Sequence, residues 1–566
     1  LQTVSACRLG SASSSPSRRT SPAKIGVELA LPAGFEHDVA RFSQVSAFVA
    51  SHMLFNSWQF IFVFLPVALG VFFAIPAAWR TQRKLWLCAA SFFFYSYWKV
   101  EYVPLLVVSI LFNYGVAEWI NRWRGRPIVR WILIGGVAAN LVLLGYYKYT
   151  NFIRDIFGQV MNQEMGRLDI LLPLAISFFT FTQIGYLVDV SRDPKLHYGF
   201  LDYSLFVVFF PHLIAGPIVR HWEIIPQYAD RDIRPNRDDL GSGSALFLMG
   251  LFKKVLLADP VAVYANAIYG AAGHGVTLTC FDAWFGTLAY AMQIYFDFSG
   301  YSDMAIGLAR MFGIRFPGNF DSPYRGDSIG EFWRRWHMSL TRFLREYVYI
   351  PLGGNRRGPG RQIVNILITF LLSGLWHGAG WTFVIWGLLH GAYQVVALEW
   401  KRWLKKLGYE PKHWSYRGAC VFLTFVMVLF TWVFFRSSNL QTSGRVLGSM
   451  FGVNGLTLSV ETTNPQKPFG QFLTSVGARF VPDTAGVQGY TEGIRLVVLL
   501  LAVAWFLPNT QQWLSAYRPL LDEDRHPSRW HLPLNGYTAI ALGIGLFFVV
   551  RTYYTAVASP FLYFNF

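Results

Sequence analysis

Long apolar stretches cut by short polar turns succeed one another along the chain from Trp58. Candidate spans lie at 58–78, 85–98, 102–120, 130–147, 168–189, 200–218, 243–265, 281–313, 363–376, 381–399, 418–436, 494–508 and 536–556. The pattern predicts an all-α polytopic membrane protein of about ten to thirteen membrane helices, the short or Gly/Pro-broken spans being re-entrant or interfacial. One stretch stands apart. From Ile363 to Leu398 there is no Asp, Glu, Lys or Arg. As one straight helix it would be about 54 Å long against a hydrocarbon core of about 30 Å, so it must tilt, break or turn. The break is written as Gly374-Leu-Trp-His-Gly-Ala-Gly380, with His377 inside it. Irregular backbone and an ionisable side chain at membrane depth are tolerated where they are buried in protein or line a cavity. His377 is therefore the first candidate functional residue.

The segment before it has another character. On a helical wheel Phe332, Trp336, Leu340, Phe343 and Tyr347 share one arc, extended by Trp333 and Leu344, while Arg334, Arg335, Arg342 and Arg345 occupy the opposite one. This predicts one amphipathic helix lying in the membrane interface. His337 falls at the edge of the apolar arc, where it reads first as a hydrogen-bonded packing residue and second as a group facing a cavity. Gly326-Asp-Ser-Ile-Gly330 has the GxSxG spacing of a nucleophile elbow but no strand before it. Ser328 is better read as a helix cap, with Glu331 completing a capping box. His377 and His390 would stand about 220° apart on a continuous helix, and no HxxxH spacing occurs, which argues against a metal site. His212 and His221 flank the Gly216-Pro217 turn and read as structural. Asp297 and Asp303, inside an apolar span, must face a partner or a cavity; an arginine of the 325–345 segment is the expected partner, a tunnel the other reading. The Gly353–Gly358 turn, with Arg356 and Arg357, suits a phosphate, of a lipid headgroup before that of a phosphopantetheine.

Composition supports the membrane reading. The chain is 53% hydrophobic, 17% aromatic and only 14% charged, whereas about a quarter charged is usual in soluble domains. A formal charge of +17 does not point to nucleic acid, because the Lys and Arg are scattered between apolar spans and follow the positive-inside rule. By that rule the loops at 80–84, 122–130 and 401–417 are cytoplasmic. The polar, poorly charged stretch 460–493 reads as a long extracytoplasmic loop. Four cysteines without CxxC spacing suggest neither a disulfide framework nor structural zinc. No Walker A or dinucleotide-binding motif is present. Residues 1–52 are Ser/Arg-rich at their start and lack the apolar core of a signal peptide. They read as a non-native or disordered extension, an over-extended reading frame first, with Met53-Leu-Phe-Asn-Ser57 opening a single membrane domain over 53–566.

Several motifs together are specific. Trp333-Arg-Arg-Trp-His-Met-Ser-Leu340, Leu344-Arg-Glu-Tyr-Val-Tyr349, Leu352-Gly-Gly-Asn-Arg356 and Gly374-Leu-Trp-His-Gly-Ala379 resemble the membrane-bound O-acyltransferase family. Phe210-Pro-His-Leu-Ile-Ala-Gly-Pro217, Phe252-Lys-Lys-Val255 and Tyr295-Phe-Asp-Phe-Ser-Gly-Tyr-Ser-Asp-Met-Ala-Ile-Gly307 extend the likeness upstream. Its alginate O-acetyltransferase branch is the nearest, with a further likeness to the D-alanyl-transfer protein of teichoic acid synthesis. The resemblance implies a bundle around a central tunnel, with His377 catalytic and His337 as the second family histidine. Trp376, Asp297, Asp303, Arg334, Arg335 and Asn355 become candidates for lining the tunnel or the substrate site. It also implies no bound cofactor, an acetyl-CoA or acyl-carrier thioester as donor, a polysaccharide acceptor and a periplasmic acetyltransferase partner. The setting would be the bacterial inner membrane, in contact with lipid. A transporter or flippase moving a lipid-linked group without chemistry, or a non-catalytic scaffold, is the rival reading. Acyl transfer demands His377, whereas transport depends on it only in part.

Overall fold

The structure, a computed structural model, describes residues 53–562 except 164, 230–235, 410, 412, 456, 461–464, 476, 482–484, 522–527 and 556–560. The expected extension at 1–52 lies outside the described residues. The regular secondary structure described is almost wholly helical. Five helices are long and apolar enough to cross a membrane: Val100–Arg122, Ile128–Met161, Trp381–Lys406, Trp414–Arg436 and Gly536–Tyr553. The larger number expected from the sequence also takes in helices that are shorter or carry charges, such as Tyr490–Phe506 and Cys280–Met311.

Cys280–Met311 is the axis of the molecule. It is buried from Tyr290 to its C-terminal end at Met311, and its N-terminus is closed by a capping box in which Thr279 and Asp282 each accept the other's backbone N–H. Arg237–Phe252 packs against it through two glycine pairs. A Cβ on Gly250 would lie 2.5 Å from the Gly300 carbonyl, and one on Gly307 would lie 2.6 Å from that of Gly243. In both helices the glycines are seven residues apart, two turns, so they fall on one face and let the backbones meet. Immediately beyond, Lys253–Ala258 widens into a π-helical stretch, and its two lysines reach the axis side by side. Lys253 pairs with Asp303 at 2.6 Å, and Lys254 with Asp297 at 2.6 Å and Asp259 at 2.7 Å. The carboxylates are thus ion-paired as expected, but with these lysines rather than with an arginine of 325–345. The reason is geometric: the glycine contacts bring the lysine-bearing turn within reach of the axis.

The charge-free run forms a hairpin of two helices, Pro359–His377 and Trp381–Lys406, around Gly378–Gly380. Its arms cross at Gly374 and Gly387, whose Cα atoms are so close that a Cβ on either would sit 3.2 Å from the other. The continuous amphipathic helix expected over 332–347 is not formed. Ile329–Arg335 and Met338–Leu344 are separate helices, and a π-helical stretch, Arg345–Tyr349, follows. His337 breaks them with a left-handed backbone, φ 43° and ψ 52°. Phe332, Trp333 and Trp336 are buried in protein. Their aromatic neighbours in the bundle, which the helical wheel does not contain, outcompete the interface. Ser328 does cap the first helix, accepting from Glu331 N–H at 3.3 Å. The other half of the box is replaced, since the Glu331 carboxylate pairs with Arg334 and Arg335.

Within the expected extracytoplasmic loop lie a short helix, Pro468–Ser475, and the strand Arg479–Val481, which pairs in parallel with Thr457–Ser459. His212 and His221 have the structural partners expected of them, the Phe206 carbonyl at 2.9 Å and Asp189 at 3.2 Å.

Candidate active site

His377 is the last residue of its helix, buried where the hairpin breaks. Aromatic rings surround it: Trp376 at 4.8 Å, Trp386 at 4.9 Å and Phe435 at 5.3 Å between centroids. Gly378 is required there, because a Cβ would lie 2.1 Å from the Phe383 ring, which packs on Phe435. The His337 ring lies 6.4 Å from that of His377 and 6.0 Å from that of Trp376. The two histidines are forty positions apart in the chain and meet only in the fold.

His337 is held from the axis side. Its ring packs edge-on against Phe298 at 4.8 Å, and Nδ1 lies 3.2 Å from Asn319 Oδ1. That oxygen also accepts from the Ser339 backbone N–H at 3.3 Å and the Ser339 hydroxyl at 2.9 Å, while Asn319 Nδ2 donates to Ser302 at 3.0 Å. An atom that receives a backbone N–H is an acceptor, so in the neutral His337 ring Nδ1 carries the proton and Nε2 is the acceptor. Asn319 thereby sets both the rotamer and the tautomer. The histidines also sit at a seam. Trp376 belongs to one hydrophobic cluster, with Phe343 and Phe178, and Phe298 and Trp386 belong to the other.

The other candidates separate. Trp376 is buried beside both histidines and stacks on Phe181 at 5.4 Å. Asp297 and Asp303 are engaged by lysines, although Phe298, next to Asp297, touches His337. Arg334 is largely exposed and pairs with Glu331. Arg335 bonds Glu331 at 2.9 Å and Asp321, and Asn355 is exposed on its turn. His390 does not face away as on a continuous helix, since the helix is broken. It packs on Trp386 and joins Trp333 Nε1 at 3.2 Å to Thr431 Oγ1 at 3.0 Å.

Sequence reasoning missed Asn319, Lys148 and Tyr149. Lys148 donates to the carbonyls of Trp376 and, at 3.3 Å, His377, and the Tyr149 hydroxyl donates to that of Leu375 at 2.6 Å. A signal existed for Lys148. The span predicted to end at Tyr147 continues as helix to Met161, placing the lysine inside an apolar element.

The fold places the two motif histidines together in a helical membrane bundle, and comparison with known proteins shows the family. Residues 191–438 match the membrane-bound O-acyltransferase family, MBOAT. The chain belongs to this family and is a multi-pass membrane O-acyltransferase. It is 39% identical to a peptidoglycan O-acetyltransferase of Helicobacter pylori, over 91% of this chain and 98% of that protein. A protein of Pseudomonas putida named probable alginate O-acetylase is 40% identical, over 83% and 99%. A teichoic acid D-alanyltransferase of Streptococcus thermophilus is 26% identical, over 67% and 94%.

Proposed function

We propose that the protein transfers a short acyl group, acetyl first, from a cytoplasmic thioester to a hydroxyl of an exported cell-surface polysaccharide or of peptidoglycan, with His377 as general base. The names of the relatives support the acceptor class. In the proposed step the acceptor oxygen attacks the thioester carbonyl carbon as His377 takes its proton. The C–S bond then breaks and the leaving thiolate receives the proton, so the histidine is restored. The donor is acetyl-CoA or a charged carrier protein, the membrane is the bacterial inner membrane, and a periplasmic acetyltransferase receives or guides the group. The observation that carries this reading is the meeting of His377 and His337, at 6.4 Å, where one helix breaks and the backbone of the other is left-handed. Strained or broken backbone persists at such sites because the surrounding structure over-determines it.

Loss of a general base typically lowers rate about 10²–10⁴-fold. His377→Ala should therefore remove acyl groups from the exported polymer at wild-type membrane abundance. Wild-type acylation at matched abundance would sink the assignment. Purified protein supplied with radiolabelled acetyl-CoA or with charged carrier identifies the donor by which thioester turns over.

A further inference from the structure

A helix that stops inside a membrane protein leaves its last carbonyls without helical partners, and in a dry environment those groups must be met by something else. Pro359–His377 stops in this way. Its Gly374 carbonyl receives the Gly378 N–H at 3.3 Å. The next three carbonyls, of Leu375, Trp376 and His377, are met by two consecutive residues of Ile128–Met161, Tyr149 and Lys148. The same helix reaches past the break, because Phe152, one turn beyond Lys148, packs edge-on against Trp381 at 5.8 Å. The three side chains therefore clasp the broken hairpin on both sides of Gly378–Gly380. An ammonium at a helix C-terminus is also the favourable sign for the helix dipole. Lys148 lies in an apolar helix long enough to cross a membrane and donates to two backbone carbonyls at the one turn that carries His377.

We propose that Lys148 and Tyr149 are positioning residues for His377: they fix the helix end so that its imidazole faces His337 and the reacting groups. The inference rests on His377 being the base, but the geometry of the clasp can be measured independently of that role. Misplacing a catalytic group by about 1 Å costs about 10²-fold in rate. Lys148→Met keeps the length and apolar stem and removes the donors, and Lys148→Arg keeps charge and donors.

The test uses full-length protein in native membranes at matched abundance, with two readouts. One is the initial rate of acyl incorporation into exported polymer. The other is carbethoxylation of individual histidines by diethyl pyrocarbonate, read by peptide mass spectrometry. Lys148→Met should lower acylation about 10²-fold and raise labelling of His377 severalfold, with His390 unchanged. Tyr149→Phe should do the same more weakly, and Lys148→Arg should restore most of both. His390 is the internal control, being held by Trp333 and Thr431 rather than by the clasp. Unchanged His377 labelling, a parallel rise at His390, or no recovery with Arg would overturn the proposal. Should Lys148→Met fail to accumulate, Tyr149→Phe decides: wild-type labelling and rate refute the clasp. Should His377→Ala retain acylation, the base assignment falls, and the labelling pattern still judges the clasp.

Discussion

His337 carries a left-handed backbone that costs on the order of 1–3 kcal/mol for a non-glycine residue. Glycine or asparagine would relieve it, so the imidazole is there for its side chain. Asn319 turns the ring with its proton on Nδ1, and Ser339, bonded to the same oxygen, ties the segment to the backbone of Ile218 at 2.9 Å. In the proposed mechanism His337 is accordingly the partner that orients, and His377 the group that takes the proton. His337→Gln should lower turnover without abolishing it and leave membrane abundance unchanged, measured as polymer acylation. Activity as low as that of His377→Ala would mean that the two act as one unit. His390 belongs to a different category. Its replacement by Ala strands the Trp333 N–H in the core, at about 1–3 kcal/mol for an unsatisfied group, while the Thr431 hydroxyl keeps the Val428 carbonyl at 2.7 Å. The expected signature is a lower unfolding temperature in detergent, with residual acylation in proportion to the protein that remains folded.

At the scale of elements, the hairpin is set by close approach of its arms. Gly374 lies against the Phe383 carbonyl, where a Cβ would sit at 2.3 Å, and Gly387 lies against that of Phe370 at 2.4 Å. Backbone atoms cannot move aside as a flexible side chain can, so a larger residue must separate the helices. Gly374→Val should cost more than the about 1–3 kcal/mol typical of overpacking and reduce acylation, since His377 is less than a turn away. Gly360, near the start of the same helix, has nothing within 4 Å of its would-be Cβ. Gly360→Ala is the matched control and should be neutral or stabilise by about 0.5–1 kcal/mol. Unfolding midpoints of the two variants, followed by tryptophan fluorescence, make the comparison. The spacing of the glycines is legible in the sequence; which glycines face which is not, because facing depends on how the chain turns back.

Across the whole molecule, the lysine–aspartate network joins the axis to its neighbours. Lys254 is about 1% exposed and holds two carboxylates, and Asp297 also accepts the Leu562 backbone N–H at 3.1 Å from near the C-terminus. Lys254→Met would leave Asp297 buried without its cation, and breaking such a pair from one side costs about 3–5 kcal/mol. Lys254→Met should fail to accumulate or unfold early in detergent, with Asp297→Asn in the same chain recovering part of the loss. Equal stability of the single and double variants would show that the pair carries no structural weight. Apolar periodicity and length determined by themselves that this is a helical membrane protein, where its charge-free run must break, and that His377 stands at the break. Motif likeness singled out His337, but the wheel placed it on one interfacial helix, since periodicity measures only a segment's own faces. Contacts between distant segments decided the rest: the kink at His337, the lysine partners of Asp297 and Asp303, the meeting of the two histidines, and the clasp of Lys148 and Tyr149. Each of these depends on which backbones approach within a few ångströms, and packing of the whole chain sets that distance.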